Sequence, residues 1–385
     1  MKLIPYNRQL IEQDDIKNVL LATKQDLITT GSFNNNLERE FKKKFKVKYS
    51  ITCNSGTSAL FIALKSVNLK EGDVVVMPSI NFVAAANISS ILKANIFLTD
   101  VDPLTGQMTA KNLEDCIKKN NLKKIKAVFS MYLGGAPFYI KEIYKLKKKY
   151  RFILIEDACH ALGTKYRLNQ KIFRVGSCQH SDICIFSFHP TKSITAGEGG
   201  IVLTNIKKYF NQGFLIRNHG MEKKYLNKNI SIEYDVIQNS LNFRLSDINA
   251  ALTLSQLKKL DKFIKKRNII AKNYFTKLNA NKYLSLPKVS SEINSSWHLF
   301  QLNLNISKNK KKKFIYYMYR NKILTQIHYK PLYKFKIFKH LKTSKISFLG
   351  SEKFYAKTLS IPLHLHLNGK KINKICIKIN TFFKK

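Results

Sequence analysis

Ser187-Phe188-His189-Pro190-Thr191-Lys192 places a lysine directly after an apolar run and before a glycine-rich turn. Residues 182–186 and 201–204, on either side, have the composition of buried strands, which predicts a loop at strand ends between them. In α/β proteins, ligands bind at such positions. A lysine in a partly desolvated pocket has a lowered pKa and can form a Schiff base with a carbonyl compound. The alternative is an exposed lysine in a lysine-rich chain.

A second predicted strand, residues 153–155, is followed by Glu156 and Asp157, and His160 comes three residues later. An acid at a strand end is by itself typical of a helix cap or a solvated loop. Combined with a strand-flanked lysine, it matches the needs of pyridoxal phosphate, which requires a buried carboxylate to keep its ring nitrogen protonated. We therefore interpret Asp157 and Lys192 as two sides of one cofactor site.

The third segment is a turn of small residues, Cys53-Asn54-Ser55-Gly56-Thr57-Ser58, between a strand-like run and the helix-like run at 59–64. Free backbone N–H groups at a helix N-terminus, together with the helix dipole, favour an anion, so Gly56 and Thr57 suit a phosphate. An ordinary serine- and threonine-rich helix start is the alternative. The chain contains no GxGxxG motif and no Walker lysine, so nicotinamide and nucleoside-triphosphate sites lack support.

In this order, the three segments resemble the sugar-nucleotide aminotransferases of the DegT/StrS type. That family has the aspartate aminotransferase fold (type I) of pyridoxal-phosphate enzymes, with a mostly parallel sheet covered by helices and a smaller C-terminal α+β domain. The resemblance covers nearly the whole chain. Further motifs that carry it are Ile28-Thr29-Thr30-Gly31, Asn81-Phe82-Val83-Ala84, Arg217-Asn218-His219-Gly220, Asn242-Phe243-Arg244-Leu245 and Ser296-Trp297-His298-Leu299.

The resemblance implies a role for each residue at the cofactor ring. Lys192 would bind pyridoxal phosphate covalently and shuttle the proton during transamination. Asp157 would pair with the pyridinium nitrogen, Phe82 would stack on the ring, and His160 would lie near the phenolic oxygen. Some family members have histidine in place of the lysine and catalyse dehydration, so the presence of Lys192 favours amine transfer.

The resemblance also implies how the cofactor phosphate is bound and how the chain assembles. Backbone groups and side chains of one subunit would hold the phosphate, and Asn242 of the partner subunit would complete the site, so the protein would be a homodimer with shared active sites. The phosphate ligands within one subunit would be Gly56, Thr57 and Ser187.

The later part of the chain indicates a substrate class. Residues 324–333, which include His328 and Tyr329, are similar to family members of pseudaminic acid biosynthesis, which aminate C4 of a UDP-linked 4-keto-6-deoxy sugar. L-Glutamate, the family's usual donor, would leave as 2-oxoglutarate. His328 and Tyr329 would hydrogen-bond the sugar or its diphosphate, with packing as the alternative. Arg244 is a candidate anion ligand, or else forms a surface ion pair with Asp247. Another nucleotide-linked 3- or 4-keto sugar is the alternative substrate.

Composition agrees with a globular catalyst, except for the charge. The 385 residues are 44% hydrophobic, no apolar run reaches the length of a membrane helix, and the six cysteines show no CxxC spacing. We expect a cytoplasmic protein with reduced thiols.

The formal charge of +44 raises the hypothesis that the protein binds nucleic acid. Because the lysines are spread along predicted helix faces, we consider nucleic-acid binding unlikely, and a non-catalytic basic protein of the same fold is the alternative from a different class.

Helix-like and strand-like runs alternate through the first part of the chain, which indicates a mostly parallel sheet covered on both faces. Residues 248–278 read as one long amphipathic helix that leads out of this unit. We place a large cofactor-binding domain at residues 1–255 and a small C-terminal domain at residues 256–385. The lysine-rich run at 308–313 reads as a solvated loop or a helix start.

Overall fold

The computed structural model describes residues 3–226, 231–343 and 345–384. Within these residues, the strands are β1 Tyr49–Cys53, β2 Val74–Pro78, β3 Asn95–Thr99, β4 Ala127–Met131, β5 Ile153–Asp157, β6 Lys165–Leu168, β7 Lys171–Arg174, β8 Ile183–Ser187, β9 Gly200–Thr204, β10 Met221–Tyr225, β11 Ser231–Val236, β12 Leu284–Ser285, β13 Ile293–Asn294, β14 Phe300–Leu304 and β15 Thr358–Ile361.

The helices in the same part of the chain are α1 Gln13–Thr23, α2 Ser32–Phe45, α3 Gly56–Ser66, α4 Val83–Ile91, α5 Ala110–Lys119, α6 Ile140–Tyr150, α7 Lys207–Arg217, α8 Asp247–Leu278, α9 Lys308–Arg320, α10 Leu349–Lys357 and α11 Gly369–Lys384. Short 3₁₀ helices occur at Leu133–Gly135, Leu332–Lys334 and Lys336–Leu341.

A seven-stranded sheet in the order β1-β9-β8-β5-β4-β2-β3 forms the centre of the molecule. The pairs from β8 through β5, β4 and β2 to β3 are parallel, whereas β9 runs antiparallel to both of its neighbours. The prediction of a mostly parallel sheet is therefore confirmed. The exception follows from the short connection between β8 and β9, which contains no crossover helix and returns the chain antiparallel.

Helices cover both faces of the central sheet, as β8 shows. Ile183 and Ile185 pack into a core that includes residues of α3 and α4, whereas Cys184 and Phe186 pack into a second core that includes residues of α2 and α8. Side chains alternate between the two faces of a strand, so a strand buried on both faces must be apolar throughout. This explains the continuous apolar runs in the sequence.

The long helix α8 connects two cores. Leu254, Leu257 and Phe263 pack into the second core, whereas residues from Ile270 to Leu278 pack into a third core with the antiparallel sheet β12-β14-β15 and α11. The helix is continuous through residue 255, and the division of the chain into residues 1–255 and 256–385 stays a prediction.

The structure also shows the surroundings of the cysteines and the lysine-rich run. The thiols of Cys53, Cys116, Cys159, Cys178, Cys184 and Cys376 are all free, and only Cys159 among them is partly exposed. Residues 308–313 begin α9, as the helix-start interpretation predicts. Among the described residues, no helix combines the length and apolarity needed to cross a bilayer.

Candidate active site

Lys192 lies in the connection between β8 and β9, five residues beyond the end of β8. Its backbone N–H donates to His189 O at 2.8 Å, which closes a turn, and Asn7 Nδ2 donates to the adjacent Thr191 O at 2.7 Å. Burial lowers the pKa of the Lys192 ammonium group, and nearby Cys159 and Asp157 oppose that shift. The lysine is therefore easier to deprotonate than an exposed one, as imine formation requires.

Asp157 is the last residue of β5, which lies beside β8 in the sheet, and only 4% of the residue is exposed. Burial raises the pKa of its carboxyl group, while hydrogen bonding from Cys159 and the charge of Lys192 lower it. The parallel strands β5 and β8 bring the two groups together because both strands end at the same edge of the sheet.

The N-terminus of α3 faces the end of β8. Ser55 caps the helix by accepting from Ser58 N at 3.0 Å, which leaves the first amides of the helix, at Gly56 and Thr57, without intrahelical partners. A Cβ at Gly56 would be 2.7 Å from the Cβ of Ser187, and one at Gly200 would be 2.4 Å from Ser55 O. Glycine at both positions thus allows the turn, the hydroxyl-bearing end of β8 and the start of β9 to approach closely.

Phe82 presents an apolar surface at the start of α4. It is the residue before the first turn of that helix, its side chain is 50% exposed, and its ring centroid is 5.8 Å from that of Tyr329. A half-exposed aromatic ring in a cleft is available to stack on a planar ligand.

His160 and Tyr329 form a hydrogen-bonded pair with a defined proton arrangement. Gly134 N–H donates to His160 Nδ1 at 3.4 Å, and His160 Nε2 is 3.1 Å from Tyr329 Oη. Burial lowers the pKa of His160 well below its ordinary value, with a further contribution from Lys192, so the ring is neutral. Since Nδ1 accepts, Nε2 carries the hydrogen and donates to Tyr329. The hydroxyl proton of Tyr329 is then available to another acceptor.

Two contacts position the backbone and side chain of His328, which precedes Tyr329. Gln301 Nε2 donates to His328 O at 3.1 Å, and His328 Nδ1 lies 2.8 Å from Ser360 Oγ. Burial, reinforced by the charge of Lys192, lowers the pKa of His328 to about 3. No pattern in the sequence indicated a role for Gln301 or Gly134. His298, whose ring centroid is 4.1 Å from that of His160, belongs to a motif noted only through the family resemblance.

The segment that carries Asn242 and Arg244 contacts the turn before α3 in the same chain, since Asn54 N–H donates to Phe243 O at 2.9 Å and Asn54 Nδ2 donates to Asn242 O at 3.5 Å. Asn242 is exposed, and its Oδ1 accepts from Arg244 N at 3.1 Å. Arg244 donates to Asn218 Oδ1 and lines a cavity of about 650 Å³ with Thr29 and Thr30. The alternative of an ion pair with Asp247 does not hold, because that carboxylate is buried and accepts from Gly31 N, Phe33 N and Asn34 Nδ2.

The residues at the ends of β5 and β8 fit pyridoxal phosphate. An amino group of lowered pKa and a buried carboxylate lie close together, helix amides without intrahelical partners face a serine hydroxyl, and a half-exposed aromatic ring is nearby. The amino group matches the aldehyde of the cofactor, and the carboxylate matches its ring nitrogen. The helix amides and the hydroxyl group match its phosphate, and the aromatic side chain matches its planar ring. Fold and site together define a pyridoxal-phosphate-dependent transferase of the aspartate aminotransferase fold (type I).

Comparison with known proteins narrows this class. Residues 9–380 match the profile of the DegT/DnrJ/EryC1/StrS aminotransferase family, and the chain belongs to that family. The UDP-4-amino-4,6-dideoxy-N-acetyl-beta-L-altrosamine transaminase of Campylobacter jejuni (strain 81-176) is 36% identical over 370 residues, covering 96% of this chain and 94% of that protein.

Two solved structures show the same fold over essentially the entire chain. Helicobacter pylori PseC, an aminotransferase involved in the biosynthesis of pseudoaminic acid, superposes with a TM-score of 0.89 at 29% identity and covers 100% of both chains. A sugar aminotransferase from Streptococcus pneumoniae, Spr1654, has a TM-score of 0.90 at 24% identity and covers 99% of both chains. The fold predicted from the sequence is confirmed.

Glu156, the neighbour of Asp157, provides a test of the buried environment at the end of β5. It is buried, and burial raises its pKa to about 7 against the opposing effect of hydrogen bonding by Tyr132, Cys184 and Ser181. The carboxyl group of Glu156 therefore binds its proton more tightly in the native state than in the unfolded state. The stability that this difference provides is lost as pH rises from about 4.5 to 7.

We predict that Glu156→Gln stabilises the protein by about 2 to 4 kcal/mol more at pH 8 than at pH 5, since the amide removes the cost of burying the charge. Urea unfolding at the two pH values measures the difference. The exposed Glu142→Gln is the matched control, with equal small effects at both pH values. A Glu156→Gln variant whose stability parallels that of the parent protein between the two pH values would contradict the prediction.

Proposed function

We propose that this protein transfers the amino group of L-glutamate to C4 of a UDP-linked 4-keto-6-deoxy sugar, in the manner of nonulosonate biosynthesis of the pseudaminic acid type. The observation that carries the proposal is the placement of Asp157, at the end of β5, and Lys192, after the adjacent parallel strand β8, at one edge of the sheet. The substrate class rests on the 36% identity to the C. jejuni transaminase over nearly the full length of both chains. The similarity to PseC supports it.

Lys192 and Asp157 divide the proton chemistry between them. Pyridoxal phosphate, when bound, supplies a carbonyl group for the amine and a ring that accepts electrons from the substrate carbon. Asp157 would hold the proton at the ring nitrogen of the bound cofactor, and its burial would keep water from competing for that hydrogen bond. Lys192 would act first as a base that takes a proton from the substrate carbon and then as an acid that returns it. Its lowered pKa makes the basic form available.

The remaining residues of the site bind and orient. Gly56, Thr57 and Ser187 would hold the phosphate through the helix amides and hydroxyl groups, and the exposed ring of Phe82 would stack on the cofactor. Tyr329 donates its free hydroxyl proton to an oxygen of the ligand, because its own oxygen already accepts from His160. One site serves donor and acceptor in turn, so the kinetics are ping-pong.

The protein acts as a homodimer in which Asn242 completes the site of the partner subunit. In support, Asn242 is exposed and follows Leu241, which is itself exposed. The nearby hairpin of β10 and β11 carries Tyr234 and Val236, which are both exposed and two residues apart, and thus on one face of β11. An exposed apolar face of this kind marks an interface.

Arg244 is the proposed anion ligand for the donor carboxylate or the nucleotide diphosphate. Its guanidinium lines the cavity of about 650 Å³ described above, next to Thr29, Thr30 and Asn218. Guanidinium groups bind carboxylates and phosphates in bidentate fashion. The strongly positive charge of the chain would attract a diphosphate-linked substrate.

The direct test is an assay with glutamate and a panel of UDP-, GDP- and dTDP-linked 4-keto and 3-keto sugars. We predict that only the UDP-linked 4-keto-6-deoxy sugar gives stoichiometric 2-oxoglutarate and an aminated product, identified by mass. Asp157→Ala should abolish turnover. Preference for a GDP- or dTDP-linked sugar would contradict the substrate class, and release of the sugar as a dehydrated product would contradict amine transfer.

Subunit mixing tests the shared site. We predict that Lys192→Ala and Asn242→Asp are each inactive alone, because the second variant places a carboxylate against the phosphate. After equal amounts of the two variants are denatured and refolded together, about half of the dimers are heterodimers, and each of these contains one site with both native residues. Activity should therefore return to about a quarter of that of the native protein. If Asn242 acts within its own subunit, mixing restores nothing.

A further inference from the structure

A cavity of about 400 Å³ is lined by Gly134 and Gln301, the residues that donate to His160 and His328. It is bounded by the loop at residues 102–105, the 3₁₀ helix Leu133–Gly135, the segment at residues 285–289 and strand β14. Its volume is within the range of small-molecule sites in proteins. None of the residues given a cofactor role above, from Gly56 to Asn242, lines it.

One polar group in this cavity lacks a partner. Asn303, on β14, is only 5% exposed and lines the cavity. Its Nδ2 donates to Leu104 O at 2.9 Å, which fixes the orientation of the amide, while Oδ1 finds no hydrogen-bond partner in the described part of the chain. Leaving a buried carbonyl oxygen without a donor costs about 1 to 3 kcal/mol. A ligand with an N–H or O–H donor would recover that energy.

The rest of the lining is mainly apolar. Leu133, Leu286, Val289, Trp297 and Leu299 provide carbon surface around Asn303. Charge is limited to Asp102, whose carboxylate accepts from the amides of its own loop at Leu104 and Thr105, and to the exposed Lys288. Such a lining disfavours a charged ligand, whose desolvation would not be compensated.

The cavity shares a wall with the candidate active site. Gln301 lines it and also donates to His328 O, and Gly134 lines it and also donates to His160 Nδ1. A Cβ at Gly134 would be 2.9 Å from Gln301 Oε1, so the two residues are in close contact. A molecule in the cavity would therefore touch the groups that hold His160 and Tyr329.

We propose that this cavity is a second ligand site, which binds a small uncharged molecule with an apolar ring and one N–H or O–H donor directed at Asn303 Oδ1. Such a molecule is distinct from the substrates, because neither Lys192 nor Asp157 lines the cavity. The proposal does not depend on which sugar the enzyme aminates.

Trp297 makes the site directly observable, because it lines the cavity and is the single tryptophan of the chain. The holoenzyme is titrated with caprolactam, which has an apolar ring and one N–H donor, and with N-methylcaprolactam, which lacks the donor. We expect a saturable change in tryptophan emission with caprolactam and at least about tenfold weaker binding of the N-methyl compound, as the loss of one buried hydrogen bond implies.

Two variants locate the binding. Asn303→Leu, similar in shape but without the acceptor, should weaken caprolactam at least about tenfold. Asn309→Leu, the same substitution at an exposed asparagine of α9 that does not line the cavity, is the matched control and should bind as the parent does. The proposal is overturned if caprolactam gives no saturable change, if both lactams bind equally well to the parent protein, or if the control loses binding as Asn303→Leu does. The comparison of the two lactams needs no variant, so it stands even if Asn303→Leu fails to fold.

Discussion

The antiparallel return from β8 to β9 is the constraint on which the site depends. The parallel strands β5 and β8 end at the same edge of the sheet, where β5 supplies Asp157 and the connection after β8 supplies Lys192. Had β8 continued into a crossover helix, the lysine would have been carried away from this edge. The return also brings Gly200 against the turn before α3, where only glycine leaves room for the backbone of Ser55. One short connection thus unites the amine, the carboxylate and the anion-binding helix terminus.

Burial then sets the protonation of the groups around this edge. It lowers the pKa of Lys192, raises that of Asp157 and keeps His160 and His328 neutral. A neutral His160 with Nδ1 engaged by Gly134 can only donate from Nε2, and this frees the proton of Tyr329. The site therefore presents a basic amine, a carboxylate and a hydroxyl donor without a cluster of competing charges. Desolvation favours the basic amine of Lys192 and the neutral imidazoles, whereas the hydrogen bonds from Cys159 and the charge of Lys192 favour the carboxylate of Asp157 against it.

Much of this arrangement could be predicted from the sequence because its signals are local. Apolar runs around Asp157 and Lys192, and small residues before α3, identify strand ends and a helix start within a few residues. Asn242 and Arg244 are harder to place, because their proposed roles involve a second subunit or a cavity between distant segments. Gln301 and Asn303 gave no signal at all. Both belong to a strand with ordinary alternation, and their importance arises only from what lies across from them in three dimensions.

The central claim is that one particular lysine among many reacts with the cofactor aldehyde. The most direct measurement is borohydride reduction of the yellow holoenzyme, followed by proteolysis and mass spectrometry of the peptides. The account predicts that the mass of the reduced cofactor is found on the peptide containing Lys192 and that the visible absorbance is lost at the same time. Attachment to any other lysine, or a cofactor-loaded protein in which Lys192 stays unmodified, would contradict it.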